Sequence, residues 1–166
     1  QAILPPPDQV AGRFWEMIIS AEIFQHLGVS LKRIFFGYII GCSFGVIIGT
    51  SIGGIKLIKD ILDPPFQFFR NIPPVALVPL AITVLGIGEV SKVFIIIYIT
   101  MLSMTYNCAT GVMSTPQIRI RAALCLGAKP KDIFFRIVLP SAWPYILTGL
   151  RVGLGFSFMG VVAAEM

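Results

Sequence analysis

The run Ile34-Phe35-Phe36-Gly37-Tyr38-Ile39-Ile40-Gly41-Cys42-Ser43-Phe44-Gly45-Val46-Ile47-Ile48-Gly49-Thr50-Ser51-Ile52-Gly53-Gly54-Ile55 holds no charge and places glycine at every fourth position from Gly37 to Gly53. About 20 helical residues cross the hydrocarbon of a bilayer, so this run is long enough to span one. A four-residue period keeps Gly37, Gly41, Gly45, Gly49 and Gly53 near one helical face. In lipid, apolar surface gains little by leaving the solvent, and a ridge of missing side chains instead lets a neighbouring helix come close enough for dense contact. The ridge is read as helix packing, and Gly149 and Gly153 repeat it once further along.

Three more uncharged or nearly uncharged runs follow. Residues 71–88 form the second, which is short and interrupted by Pro73, Pro74 and Pro79; residues 93–111 form the third; residues 141–164 form the fourth and enclose Arg151. The expectation is an all-α membrane protein, a polytopic helical bundle of about four spanning helices. Composition agrees: of 166 residues 56% are hydrophobic and 13% charged, against about one quarter charged in a soluble domain. The net charge of +5 is split between long uncharged runs, which is not the continuous basic patch that nucleic acid requires. Three cysteines, Cys42, Cys108 and Cys125, make no even disulfide framework. Gln1 opens the chain without a basic-then-apolar leader, and the last apolar run stops at Met166, so the sequence reads as the central piece of a longer membrane protein.

Positive charge sets the orientation, because cytoplasmic loops retain Lys and Arg. Arg119, Arg121, Lys129, Lys131 and Arg136 fall between the third and fourth runs, and Lys56 and Lys59 join them on that side; Lys32 and Arg33 count against it. Residues 1–28 then form an extracytoplasmic segment. Within it Val10, Phe14, Met17, Ile18, Ala21 and Phe24 mark an interfacial helix over residues 9–28, with Trp15 near the headgroups. Residues 29–166 form the transmembrane core, and 114–139 are its main cytoplasmic loop.

Inside the membrane, the prolines of the second run free backbone carbonyls, which lipid tolerates only beside another helix or a water-filled cavity. The break is either a kink or part of a path. Arg151, a charge well inside a run, is either an anion contact or the partner of a group on another helix. Tyr98, Met101, Ser103, Thr105 and Asn107 bring polar or polarisable groups to the third run, as path candidates or as side chains bonding a neighbouring carbonyl.

The loop carries the most specific pattern: Arg121-Ala122-Ala123, three residues, Gly127, nine residues, then Ile137-Val138-Leu139-Pro140. Residues 117–126 contain no helix breaker, Gly127 suits the positive φ of a helix end, and Pro130 suits the first turn of a second helix. Phe134 and Phe135 give that helix an apolar face. The spacing resembles the E-A-A-x3-G-x9-I-x-L-P signature of permease subunits of bacterial ATP-binding-cassette importers of type I, with Arg121 standing where that family has Glu. The flanking blocks Arg70-Asn71-Ile72-Pro73-Pro74-Val75-Ala76-Leu77-Val78-Pro79-Leu80, Gly86-Ile87-Gly88-Glu89 and Leu139-Pro140-Ser141-Ala142-Trp143-Pro144 are similar to the nitrate, sulfonate, taurine and bicarbonate branch.

The resemblance implies a bacterial inner-membrane permease. A second permease copy, two cytoplasmic ATP-binding subunits and a periplasmic or lipid-anchored substrate-binding protein are its implied partners. Arg121, Ala122, Ala123, Gly127, Ala128, Lys129, Asp132, Ile137, Leu139 and Pro140 would form the ATPase-coupling loop. The cargo implied is a small anion. ATP and Mg would be used by the partner, since this chain has no G-x-x-x-x-G-K-[ST] phosphate loop; neither a cofactor, a metal nor an enzymatic activity is expected of the chain itself. A gradient-driven carrier or channel is the alternative, but it calls for coupling carboxylates within the spans, and Glu165 at the end of the last run is the nearest. A membrane-embedded enzyme would need a convergent His, Cys or carboxylate cluster.

Overall fold

Glycine spacing and apolar run length translate directly into the helices of the computed structural model, which describes residues 22–165 and the isolated positions 6, 10, 12 and 19. The first helix, α1 (Glu22–Gly54), is followed by α2 (Lys56–Arg70), a 3-10 turn at Pro74–Ala76, α3 (Leu77–Leu85) and α4 (Glu89–Met113). Then come α5 (Gln117–Cys125), the short α6 (Pro130–Ile133), a π-helical turn at Phe134–Val138 and α7 (Leu139–Glu165). Among the described residues three stretches are long and apolar enough to cross a membrane: Ile23–Gly54, Glu89–Met113 and Pro130–Ala163. The interfacial helix expected over residues 9–28 lies largely outside the described residues. Its last part belongs to α1, which runs through Gly28 without a break.

The bundle is organised around α4. Each glycine of the ridge abuts it in the same order along both chains, so α1 and α4 run parallel. A Cβ at Gly37, Gly45 or Gly53 would come within 2.6 Å of the Ile96, Met104 or Val112 side chain. At Gly41 it would meet the Ile97 carbonyl oxygen at 2.9 Å, and at Gly49 the Thr105 carbonyl oxygen at 2.5 Å. The α4 residues opposed, Ile96, Thr100, Met104, Cys108 and Val112, are themselves four apart. Backbone therefore approaches backbone through four turns, close enough for weak Cα–H···O contacts. On another side α7 runs antiparallel to α4: Gly111 lies against Tyr145, Gly149 against Asn107 and Gly160 against Ile99. The Tyr38 hydroxyl donates to the Leu150 carbonyl at 3.0 Å and ties α1 to α7.

The second crossing differs from the one expected. Residues 71–88 alone do not make a spanning helix; they give a turn, the 3-10 turn and the nine residues of α3. They are preceded by α2, whose Lys56, Lys59, Asp60 and Asp63 mark it in sequence as a loop. It starts beside the end of α1, and its far end meets α4, where the Tyr98 hydroxyl donates to the Phe69 carbonyl at 2.7 Å. Fifteen residues at 1.5 Å each carry α2 about 22 Å, the same rise as from Met113 back to Tyr98. From there α3 continues: Ala81 packs with Ile95 and Ile99, and Val78 and Tyr98 flank them. The chain between α1 and α4 is thus in two pieces, broken at Asn71–Pro73, and the end of the first piece reaches Tyr98 and Tyr106 near the middle of α4.

Only one of the proline sites interrupts. Pro64 and Pro65 lie inside α2, none of whose residues is buried. Pro79 occupies the third position of α3, in the first turn, where backbone N–H groups have no helical acceptor in any case. Pro73 and Pro74 carry the break.

Candidate functional site

Two places combine position with chemistry: the break halfway along α4, and the loop at the basic end of the bundle.

At the break, Arg70 closes α2, where its charge complements the helix C-terminus. Its guanidinium carbon stands 4.1 Å from the centre of the Tyr106 ring, a cation–π contact. Beside it is a cavity of about 580 Å³. Arg70, Ile72 and Pro74 form one wall of it; Ile99, Leu102, Ser103, Tyr106 and Asn107 of α4 form another; Val152, Phe156, Met159 and Ala163 of α7 form the third. Arg70 is the one charged residue among those lining it. A charge midway along a spanning helix is costly unless it serves a partner or a passing ion. A discontinuous crossing that ends at that depth is where transporters place their substrate sites.

The path candidates distribute around this cavity. Ser103 and Asn107 line it, one helical turn apart, and the Asn107 amide donates to the Ser103 carbonyl at 2.9 Å. Tyr98 lies at the joint between α2 and α3. Met101 and Thr105 turn their carbonyls toward Gly45 and Gly49 of the ridge, and the Thr105 hydroxyl is buried there without a hydrogen-bond partner. Arg151 is exposed on α7 and outside the cavity wall. Sequence reasoning passed over Arg70 because it stands at the edge of an apolar run. The signal that marks it is the Pro73-Pro74 pair directly after it, which fixes where α2 must stop.

The basic end gathers Lys56, Lys59, Arg119, Arg121, Lys129, Lys131 and Arg136, since α1 and α4 end there and α7 begins there. Its helix-turn-helix is set by local chemistry. After Cys125 the chain closes with the Ala128 N–H on the Ala123 carbonyl at 3.0 Å and the Gly127 N–H on the Leu124 carbonyl at 3.0 Å. This Schellman pair requires a left-handed residue, and Gly127 supplies it with φ +78°. Pro130 then opens α6 at its first position.

The loop is rooted in the bundle. Ala123, Ile133 and Val138 share one buried cluster with Val112, Ala142 and Ile146 of the long helices, and Ala128, Ile137 and Leu139 pack against it. Phe134 reaches to Gly54 of α1. Facing outward are Arg121, Ala122, Gly127, Lys129 and Pro140. Ile118, Leu126 and Phe135 are exposed with them, Leu126 at 88%. Asp132 pairs loosely with Arg136 at 3.9 Å. The loop therefore offers apolar side chains ringed by cations on a base packed against α4 and α7.

Comparison with known proteins places these features. Residues 41–166 match the family profile described as binding-protein-dependent transport system inner membrane component. The taurine transport system permease protein TauC of Escherichia coli K12 is 38% identical over 168 residues, which cover 98% of this chain and 61% of that one. The nitrate import permease protein NrtB of Synechocystis is 35% identical over 173 residues, covering 98% and 62%. The chain thus spans about three fifths of the length of these two curated relatives. Among solved structures, the MetNI methionine ABC transporter in an inward-facing conformation superposes with a TM-score of 0.56 at 22% identity, over 86% of this chain and 69% of that one, a likeness of fold.

Proposed function

We propose, from the premise that this chain belongs to the binding-protein-dependent transport system inner membrane components, that it is the passage-forming permease subunit of an ATP-driven importer for a small anion. It is a multi-pass inner-membrane protein, with three long apolar helices among the described residues. The observation that carries the proposal is the rooted helix-turn-helix at the basic end. A loop that only connected two spans would have no need of a buried core shared with them, nor of Leu126 and Phe135 held outward on rigid helices. Such a surface suits docking of a cytoplasmic ATP-binding subunit, with hydrolysis in that partner and movement in this chain. Taurine and nitrate relatives at similar identity direct the cargo toward oxyanions. A cation at mid-depth agrees with that direction and gives the gradient-driven alternative no coupling carboxylate in the cavity.

Mechanically, transport needs an element with two discrete arrangements whose balance a partner shifts. Here the Ala123, Ile133 and Val138 contacts carry a displacement of the loop into α4 and α7, two of the three cavity walls. The test is ATP hydrolysis by the full-length permease reconstituted with its ATP-binding subunit and binding protein. Stimulation by loaded binding protein is expected, and Leu126→Asp, which alters an exposed side chain, is expected to weaken ATP-binding-subunit association by about tenfold or more, the scale of an interface anchor. Unchanged association and stimulation in that variant would remove the loop from the coupling path.

A further inference from the structure

We propose that Tyr98 and Tyr106 form a latch that holds the end of α2, at the proline break, against α4 in this conformation, and that displacement of the loop releases it. This role rests on the importer reading and goes past it, to the side chains that distinguish two arrangements of the cavity wall.

The break leaves acceptors to be satisfied. A helix ends in carbonyls that have no helical donor, and within a membrane each must find one elsewhere. The Asn71 side-chain amide donates to the Gln67 carbonyl at 2.8 Å, and the Asn71 backbone N–H to the Phe68 carbonyl at 3.2 Å. The Phe69 carbonyl would take its helical bond from position 73, which is proline and has no N–H. It accepts instead from the Ile72 N–H at 3.2 Å and from the Tyr98 hydroxyl at 2.7 Å. Pro73 thus vacates the acceptor site that Tyr98 fills from α4. Further along the same helix, the centre of the Tyr106 ring lies 4.1 Å from the guanidinium carbon of Arg70, the next residue of α2.

Contacts of this kind can be made and broken. No residue of α2 is buried, so its end is held against α4 by two reaching side chains and not by interlocked packing. Beyond the break the reverse holds, since Ala81 of α3 is buried with Ile95 and Ile99 of α4. The chain can therefore turn at Asn71–Pro73, with α3 staying on α4 while α2 swings. Nearer its start, α2 borders the loop: Lys59 shares a cavity of about 520 Å³ with Gln117, Leu124, Pro130 and Phe134. At its end, Arg70 lines the cavity at the break. A displaced loop changes what α2 rests on, and what resists the swing is one hydrogen bond and one ring contact, each of modest net strength. A two-state element needs contacts that one state has and the other lacks. Tyr98 and Tyr106 supply them.

The test uses the full-length permease in proteoliposomes with its ATP-binding subunit. Tyr98→Phe removes one hydroxyl and keeps the ring. It should raise ATP hydrolysis in the absence of binding protein by about fivefold or more, the lower end of a coupling between sites. A second readout follows the joint itself. Ile72→Cys is placed in a Cys125→Ser background, where the remaining Cys42 and Cys108 are buried, and its modification by a water-soluble thiol reagent is timed with and without ATP plus vanadate. With Tyr98 in place the rate should differ between the two conditions by about fivefold or more. With Tyr98→Phe the rate without nucleotide should already match the trapped one, whereas general damage to the fold would raise both rates. An undiminished nucleotide response in Tyr98→Phe, no response in the parent, or unchanged hydrolysis overturns the latch and leaves the importer reading standing. If the ATP-binding subunit does not associate with the unaltered permease, the importer reading beneath it falls instead.

Discussion

Toward α1, α4 presents Ile96, Thr100, Met104, Cys108 and Val112 to five glycines, so close that a single added carbon would collide at each of them. Toward the helix break the same helix presents Ile99, Ser103 and Tyr106 to a cavity of about 580 Å³. One face has no free volume and no flexible side chain on the opposing ridge; the other has a charge, exposed rings and a discontinuous neighbour. The difference teaches how a transport protein in lipid reconciles cohesion with a passage. With no hydrophobic drive between helices, contact density must be concentrated where it can be made complete. The α1–α4 seam does this, and it frees the other face from having to hold the bundle together.

The sharpest way to break this contrast is to fill the seam. Gly49→Val puts its first carbon 2.5 Å from a backbone oxygen and 2.7 Å from the Cys108 Cβ, neither of which can swing aside. It should destabilise by about 3 kcal/mol or more, at the upper end of overpacked cores, read by denaturant titration in detergent micelles. Gly127→Ala should cost about 1–2 kcal/mol in the same assay. Nothing lies within 4 Å of that glycine, so the cost is the positive φ alone, and Asn should recover part of it. Tyr106→Leu attacks the open face: Tyr106 is 44% exposed, and losing a cation–π contact should change stability by about 1 kcal/mol at most while uptake falls severalfold. Gly155→Ala should be the mildest. It sits mid-helix in α7 with open space around it, and the substitution should stabilise by about 0.5–1 kcal/mol through helix propensity. If Gly49→Val proved as mild as Gly155→Ala, the seam would not be the cohesive element described.

What could be read in the sequence is what short-range geometry dictates. The ridge has a fixed period, and the turn at Gly127 needs only one left-handed residue and a proline three positions on. The loop's length and both its helices follow from residues 117–140 alone. The second crossing was not legible in this way. The helix before the break, α2, carries four charges in its first eight residues and two prolines, and only the contact of Phe69 with Tyr98 shows that it ends against α4. The same holds for Arg70. Its sequence neighbours place it at a boundary, whereas its place in the cavity wall depends on Tyr106, which is 36 positions away and stands beside it only in the fold. Arg151 stands out in sequence for the opposite reason, an apolar run on both sides; Val152, Phe156 and Met159, which do line the cavity, look like any other apolar residues of α7.

The last long helix does not begin at the membrane. Helical structure is continuous from Pro130 to Ala163, 34 residues, about 50 Å at 1.5 Å per residue. One end is the second helix of the loop, and the other carries Phe156 and Met159. The π-helical turn at Phe134–Val138 interrupts its winding close to the loop end, beside Gly54 of α1, and Pro144 lies inside the helix beyond it. The segment thus has a short arm in the loop and a long arm along α4. A tilt of the whole segment by about 5° would carry its far end some 4 Å, on the order of one atomic layer. An opening that size at the cavity would then ask for less than 1 Å of travel where the short arm is pushed.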